Sequence, residues 1–404
     1  MKIAILGAGI LGSCSALELA RRGFSVDLYD AAASPMSRAS YFNEGKIHAG
    51  IIYARDESLA TARRMIEGAI HFRDALSRWV DTEAALCCSK PFLYAVDRES
   101  LVGSDDLEAY YRECESLFEA AQQQAGVSYL GLGASLGVRR LRQDEWAGLA
   151  DPGFFEGMFE TNEYSVDPVL VAEHLANALG KCPDVTPRYG RRVIAVEDGA
   201  SGRLEVVVED AEGVRSSGSY DQVVNCLWQD RLRIDRDRGV PLPRSWMHRY
   251  KFSNRIHVDV PDTVPSLTIV LGPFGDIVNY GARGLYLSWY PTGVAGISSE
   301  VSPPDWDGLI SDEQRLDAFR ESFEAWCVRC PVLRQIEFDE SRLELGGGVI
   351  YALGSTDVDD YDSKLHDRYE VGLQSYGNYH SVDTGKYTLA PLLAIHVADR
   401  VSGH

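Results

Sequence analysis

Lys2-Ile3-Ala4-Ile5-Leu6-Gly7-Ala8-Gly9-Ile10-Leu11-Gly12 is the stretch that decides the fold. The apolar run 2–6 predicts a strand, and the glycines that follow predict a tight turn. A helical pattern then runs from Ser13 to Arg22 and stops at Gly23. A second apolar strand, Ser25 to Tyr29, ends on Asp30. Strand, glycine turn, helix, strand and acid make one βαβ unit with a dinucleotide fingerprint, the acid lying about twenty residues after the glycines. Each part has a physical task. Gly7 makes the turn, Gly9 lets backbone approach a pyrophosphate, and Gly12 lets helix and strand close up. Ile10 and Leu11 open the helix, whose N–H groups and dipole favour an anion. Asp30 can accept hydrogen bonds from ribose hydroxyls.

The remaining composition limits what such a protein does. The chain has 404 residues, 45% hydrophobic and 25% charged, enough for two or three domain-sized units. Its formal charge of −20 disfavours nucleic acid and anionic membrane surfaces. An anionic small substrate therefore requires local cations. No apolar run approaches the roughly 20 residues of a membrane span, and the N-terminal apolar segment is a strand rather than a leader, so a cytoplasmic protein is expected. The eight cysteines are scattered, and Cys327-Val328-Arg329-Cys330 has no second pair. They are expected to pack as small hydrophobes, and no metal site is expected.

Beyond Asp30 lies a small, polar, glycine-punctuated loop, Ser37-Arg38-Ala39-Ser40-Tyr41-Phe42-Asn43-Glu44-Gly45-Lys46-Ile47-His48-Ala49-Gly50. Its Ala-Ser-x-x-Asn-x-Gly-x-Ile-His-x-Gly pattern resembles the second signature of the D-amino-acid oxidase (DAO-type) FAD-dependent oxidoreductases. The Asn-x-Gly-x-Ile-His core is most similar to the 2-hydroxyglutarate oxidase branch. The resemblance implies that the loop passes the pyrophosphate and runs under a flavin ring, with Arg38, Ala39, Ser40, Asn43, Gly45, Lys46 and Ile47 as cofactor neighbours. Lys46 departs from the family, which places a small or apolar residue there. It is expected near the flavin, or in a salt bridge, for instance with Glu44.

Further along, helical patterns cover 56–80, 105–124, 169–179 and 312–329, and Asp167-Pro168 starts the third with a cap and a proline at the first helical position. Gly131 to Gly137 has little strand before it and no amphipathic helix after it, so it is not read as a second dinucleotide site. The electron acceptor is then O₂, a quinone or a carrier protein rather than NAD(P)H. Strands are expected at 91–96, 191–196, 204–208, 221–226, 256–260, 267–271, 276–280 and 285–290, and a last helix from about 388 to 401. By the resemblance, Val193 and the turn after Cys226 also meet the cofactor. Relatives carry an extra small-Gly pair before Leu227-Trp228 that this chain lacks.

The expected fold class is α/β, a Rossmann-like FAD-binding domain with an inserted antiparallel-sheet substrate domain. The expected boundaries assign 1–85, 155–235 and 340–404 to the cofactor, and 86–154 and 236–339 to the substrate. Non-covalent FAD is expected. N–H groups around Thr384, Gly385, Lys386 and Tyr387 are expected at the flavin pyrimidine edge. The catalytic candidates are Lys46, His48, His366, Arg283 and Arg368. His380, Arg249 and Arg255 are further possibilities, and Tyr280, Tyr286 and Trp289 are possible substrate walls. The resemblance implies hydride removal from a carbon bearing N or O of a small-molecule substrate. An amine or amino acid is the first reading and a 2-hydroxy acid or alcohol the second. A flavin-binding protein without redox turnover is the third.

Overall fold

The structure is a computed structural model describing residues 1–133, 135–356, 360 and 362–403, with His366 described by its backbone alone. The opening unit forms as the sequence dictates: β1 (Lys2–Leu6), α1 (Ile10–Arg21) and β2 (Ser25–Tyr29). β1 and β2 are parallel, and β1 also pairs in parallel with Gln222–Asn225. This sheet has six strands, in the order 372–376, 379–383, 222–225, β1, β2, 185–188. Only its 372–376 edge is antiparallel.

The position of β1 explains why its sequence shows no alternation. Ile3 and Ile5 belong to the main core, whereas Ala4 and Leu6 pack on the other face with Val193, Val206 and Tyr220. Both faces are covered, so every position after Lys2 is apolar. Each fully buried isoleucine or leucine contributes about 1.5–3 kcal/mol. α1 is equally enclosed, packing against the helix Ala390–Ser402 and the helix Pro168–Lys181.

One charged residue of α1 is buried with it. Glu18 accepts from the guanidinium groups of Arg21, Arg22 and Arg78 and from the Trp79 indole. Burial alone would raise its pKa, but these donors hold its carboxyl far below the usual range. Its stabilising effect is therefore present above the unfolded-state pKa and is lost as pH falls through that value toward the lower folded one. Glu18→Ala is expected to cost about 1–3 kcal/mol, because Arg21 and Arg78 are partly exposed and can rehydrate. Urea midpoints at neutral pH and near pH 3 check this, the difference shrinking at the lower pH.

The second sheet has nine strands: 294–298, 246–256, 285–289, 275–279, 266–270, 92–97, 155–160 and 139–140 in order, with 343–353 also paired to 246–256. It is antiparallel as expected except where 266–270 runs parallel to 92–97. Those two strands come from distant parts of the chain, so no hairpin sets their direction. Phe155–Glu160 and Leu343–Leu353 hydrogen-bond into this sheet, although the expected boundaries put both on the cofactor side. A three-stranded antiparallel sheet, 192–198, 204–209 and 215–220, attaches to β2 through Tyr220, whose hydroxyl donates to Asp27 at 2.6 Å.

The strand expected at 256–260 instead occupies Trp246–Ile256. The helix expected at 56–80 occupies Ala60–Leu76, and the last helix begins at Ala390 after a 3₁₀ turn over Tyr387–Leu389. The 131–137 glycines carry no α-helix among their described residues. All eight cysteines are free, and Cys327 and Cys330 are buried. No described helix is long and apolar enough to cross a membrane.

Candidate active site

One cavity of about 360 Å³ runs from the fingerprint to the face of the nine-stranded sheet, within the range of small-molecule sites. At its first end the glycines do what their positions require. Gly7 has φ +96°, and a Cβ on it would lie 2.7 Å from the Cys226 carbonyl oxygen. A Cβ on Gly12 would lie 1.8 Å from the Gly7 carbonyl oxygen. Gly9 caps α1 with no side chain of its own, and a Cβ there would lie 3.0 Å from Ser40 Oγ, which accepts the Ile10 N–H. The helix N-terminus thus opens on the cavity beside a hydroxyl. Asp30 accepts the Ala8 and Ala32 N–H groups, one on each oxygen, and the second lone pair of each oxygen remains for a sugar hydroxyl.

The 38–50 loop forms the floor. Asn43 builds it: its Nδ2 donates to the Ala39 carbonyl at 3.0 Å and its Oδ1 accepts the Gly45 N–H at 2.7 Å. Arg38, Ala39, Ser40, Asn43, Lys46 and His48 line the cavity, as do Ile10 and Leu11. Gly45 and Ile47 do not. Gly45 is pressed against Val166, and Ile47 is fully buried with its N–H on Tyr164. Gly45 turns the chain with φ +63°, and after it Lys46 and His48 reach the cavity while Ile47 between them packs in the core.

Lys46 makes an ion pair, but not with Glu44. Its Nζ lies 3.0 Å from Asp276 Oδ1, donates to Thr268 Oγ1, and sits 3.9 Å from the centroid of Phe92. Asp276 also has Lys251 Nζ at 3.8 Å. Burial would raise this carboxyl, but Lys46 and Lys251 hold it at about 2. Burial opposes charge on Lys251, yet the neighbouring oxygens of Tyr286, Tyr290 and Asp276 hold its ammonium above the ordinary lysine value.

At the far end, Arg368 is buried, giving its Nε–H to the Leu365 carbonyl and its Nη1–H to the Tyr351 carbonyl. Thr384, Gly385, Lys386 and Tyr387 all line the cavity. Two of their N–H groups are already used, Gly385 on Asp383 Oδ1 and Lys386 on the Thr384 carbonyl. Burial pulls the Lys386 pKa down to about 8, with Arg368 and Lys251 repelling its charge and Glu44 opposing them. His48 is pushed well below the ordinary histidine value by burial, then by Lys386, Lys46 and Arg368. It is neutral at neutral pH, and its Nδ1 is free to take part in a hydrogen bond.

Several expected residues lie elsewhere. Arg283 does not line the cavity. It pairs with Asp167 at 2.5 Å, and Arg255 pairs with the other oxygen at 3.0 Å. Asp167 therefore caps its helix and also ties two arginines of the nine-stranded sheet to it. Val193 is buried with its carbonyl held by Arg233, away from the cavity. His380 is buried in the parallel sheet between Ser375 and Gln222. Tyr286 lines the cavity; Trp289 and Tyr280 do not, and the Tyr280 hydroxyl holds the Glu44 carbonyl. The side chain of His366 falls outside the described residues. The shortened turn after Asn225 still meets the cavity through Cys226, Leu227 and Trp228, the Trp228 indole donating to the Val349 carbonyl at 2.6 Å.

Sequence reading missed Lys251, Thr268, Asp276, Tyr290 and the aromatic hydroxyl of Tyr53. A signal existed for the first. Arg249-Tyr250-Lys251-Phe252-Ser253 alternates polar with aromatic, and Arg249, Lys251 and Ser253 all line the cavity while Tyr250 and Phe252 pack behind.

The lining fits a flavin dinucleotide. Glycines stand where a Cβ would block the approach. His48 Nδ1, Tyr53 OH and Tyr387 OH are buried without a hydrogen-bond partner among the described residues, and all three residues line the cavity. Buried polar atoms of this kind call for a bound partner.

Comparison with known proteins agrees. The chain is 25% identical over 283 residues to a D-amino acid dehydrogenase of Chromohalobacter salexigens, a match covering 60% of this chain and 64% of that relative. Glycine oxidase from Geobacillus kaustophilus superposes with TM-score 0.67 at 16% identity, over 99% of this chain and 94% of that one. L-α-glycerophosphate oxidase from Mycoplasma pneumoniae, solved with FAD bound, superposes with TM-score 0.66 at 14% identity, over 99% and 94%. These two likenesses show the fold. A model of the DAO family, FAD-dependent oxidoreductases, matches residues 2–360. With nearly the whole chain spanned by that match, the protein belongs to the DAO family of FAD-dependent oxidoreductases.

Proposed function

We propose that the protein dehydrogenates the carbon that bears the nitrogen of a small amino acid and passes the electrons to O₂, a quinone or a carrier protein. The observation that carries this reading is Arg368, a guanidinium buried in the cavity with no carboxylate partner among the described residues. A buried guanidinium matches a carboxylate in charge and in fork geometry. Arg249 lines the same cavity and adds positive potential. FAD, when bound, supplies the two-electron acceptor. Gly7, Gly9, Gly12, Ser40 and Asp30 would hold its ADP part, and the turn at 384–387 would face its ring. Arg368 would orient the substrate by its carboxylate, Glu44 would face its ammonium, and the unpartnered Nδ1 of neutral His48 would hydrogen-bond the amine, while the proton that leaves with the hydride passes to water. The cofactor is held without a covalent bond, so acid precipitation is expected to release all the flavin into the supernatant.

A 2-hydroxy acid is the second reading. It is favoured by His48, a neutral imidazole that lines the cavity with an unpartnered Nδ1 able to accept the hydrogen bond of an alcohol O–H. Anaerobic bleaching of the flavin by a panel of amino acids and of 2-hydroxy acids separates the two. A protein that takes up FAD but is bleached by neither panel defeats both. Arg368→Met is expected to lower kcat/KM by about 10²-fold or more, mostly through KM, with Arg368→Lys recovering part of the loss. Unchanged KM would remove Arg368 from the carboxylate.

A further inference from the structure

The proteins of this chemistry need one carboxylate anchor, and the cavity holds more positive charge than one anchor requires. Two walls face each other across it. On the wall of the nine-stranded sheet, Lys46 and Lys251 share the single carboxylate of Asp276. On the other, Arg368 and Lys386 face Glu44. Together Lys46, Lys251, Arg249, Arg368 and Lys386 outnumber the carboxylates of Asp276 and Glu44 in this part of the cavity lining, in a chain whose formal charge is −20. Such a local surplus is costly unless something bound offsets it.

The two lysines of the first wall are not equivalent. Asp276 Oδ1 is saturated by Lys46 at 3.0 Å and Thr268 at 2.6 Å. Lys251 stands 3.8 Å from Oδ2, beyond hydrogen-bonding distance, and its Nζ makes no hydrogen bond among the described residues. The residue is 7% exposed, and it lines the cavity with its Nζ 4.4 Å from the ring centroid of Tyr290. It is a buried ammonium that lines the cavity, with one ion-pair partner at 3.8 Å and no hydrogen bond among the described residues, so its three donors are open to a bound acceptor. The Lys46–Asp276 pair behind it fixes its wall, since Lys46 bridges the 38–50 loop to the strands at 266–270 and 275–279.

We infer that Lys251 forms a second anion subsite, so that the substrate carries a second oxyanion group, a carboxylate or a phosphate, besides the carboxylate held at Arg368. This rests on the reading of the cavity as the dehydrogenation site. Tyr286 and Tyr290 flank the subsite and offer hydroxyls and ring faces to the segment joining the two anions. The substrate is then an acidic amino or hydroxy acid, and its neutral-side-chain analogue binds more weakly.

Binding tests this without turnover. The holoenzyme is titrated with butyrate, glutarate and 3-phosphonopropionate, each followed by the perturbation of the flavin absorption band. At least one of the two dianions is expected to bind about tenfold or more tightly than butyrate, the size of one charge-assisted hydrogen bond. Glutarate leading points to a dicarboxylate, 3-phosphonopropionate to a phosphorylated acid. Lys251→Met is expected to bring the ratio near one, and Lys251→Arg to keep most of it. Equal affinity of the wild type for butyrate and both dianions overturns the inference with no variant needed, as does a preference that survives Lys251→Met. The dehydrogenation reading fails separately, when no amino or hydroxy acid bleaches the flavin although the dianion preference is intact.

Discussion

Gly12→Val is expected to yield a colourless protein that binds no FAD and is less stable by at least about 3–5 kcal/mol. A Cβ on Gly12 would stand 1.8 Å from the Gly7 carbonyl oxygen and 3.3 Å from Ile5 Cγ2. The first is backbone in the turn that carries the fingerprint, and the second is a fully buried side chain of β1. Neither has room to retreat, because α1 is enclosed along its length by the helices 390–402 and 168–181. The helix must move off the strand, and its N–H groups leave the position from which they would face a pyrophosphate. Gly23→Ala is the control. Its φ of +84° makes alanine strained, but no atom lies within 4 Å of the added Cβ, so it is expected to cost about 1 kcal/mol and keep its flavin. The ratio of absorbance near 450 nm to that at 280 nm, with urea midpoints, reads both variants. A yellow Gly12→Val protein of normal stability would mean that the helix does not need this contact.

The fingerprint was legible because its residues are selected by backbone geometry. A glycine that admits a neighbouring carbonyl leaves no alternative residue, and strand β1 advertises its double burial by a run without polar positions. Asp167 was legible as a helix cap for the same local reason. What a cap does at long range was not. The ion pairs of Asp167 with Arg255 and Arg283 join residues 88 and 116 positions apart, and no periodicity in the chain reports such a pairing. Arg283 therefore looked like a ligand for substrate when it is a tie between the sheet and the helix 168–181.

The chemical end of the cavity was only half legible for a similar reason. The loop 38–50 bears a family pattern, and its members 46 and 48 reach the cavity. Lys251 and Asp276 come from strands of the nine-stranded sheet, whose buried positions read as ordinary alternation. Trp246–Ile256 was missed as a strand because its inward face is charged. A strand facing a ligand cavity buries arginine and lysine where a core strand buries valine, so the hydrophobic pattern that marks strands is lost where function is placed. The polar and aromatic alternation of Arg249 to Ser253 remains as its trace.

Asp276→Asn carries the second large effect, an expected loss of about 3–5 kcal/mol at neutral pH. The variant keeps the shape and the contact with Thr268 but removes the anion that two buried lysines share. The Lys46 side chain is 1% exposed and that of Lys251 8%, so neither can rehydrate in place. Glu163, buried beside Tyr94 and the Ala49 N–H, is the other carboxyl near Lys46, but burial raises its pKa and weakens it as a substitute. The pH dependence distinguishes this from loss of a hydrogen bond. In the wild type the folded-state pKa of Asp276 is about 2, below its ordinary 3.8. Its contribution is therefore complete above about pH 4 and lost as pH falls from there toward 2. The variant lacks that acid limb. Its deficit relative to wild type should be largest near neutrality and shrink as pH falls from about 4 toward 2, where the wild type loses the same anion. Urea unfolding of the two proteins between about pH 2.5 and pH 7 measures that limb. A deficit that stays constant across that range, or one under about 1 kcal/mol at pH 7, would show that the lysines do not depend on this carboxylate for their charge.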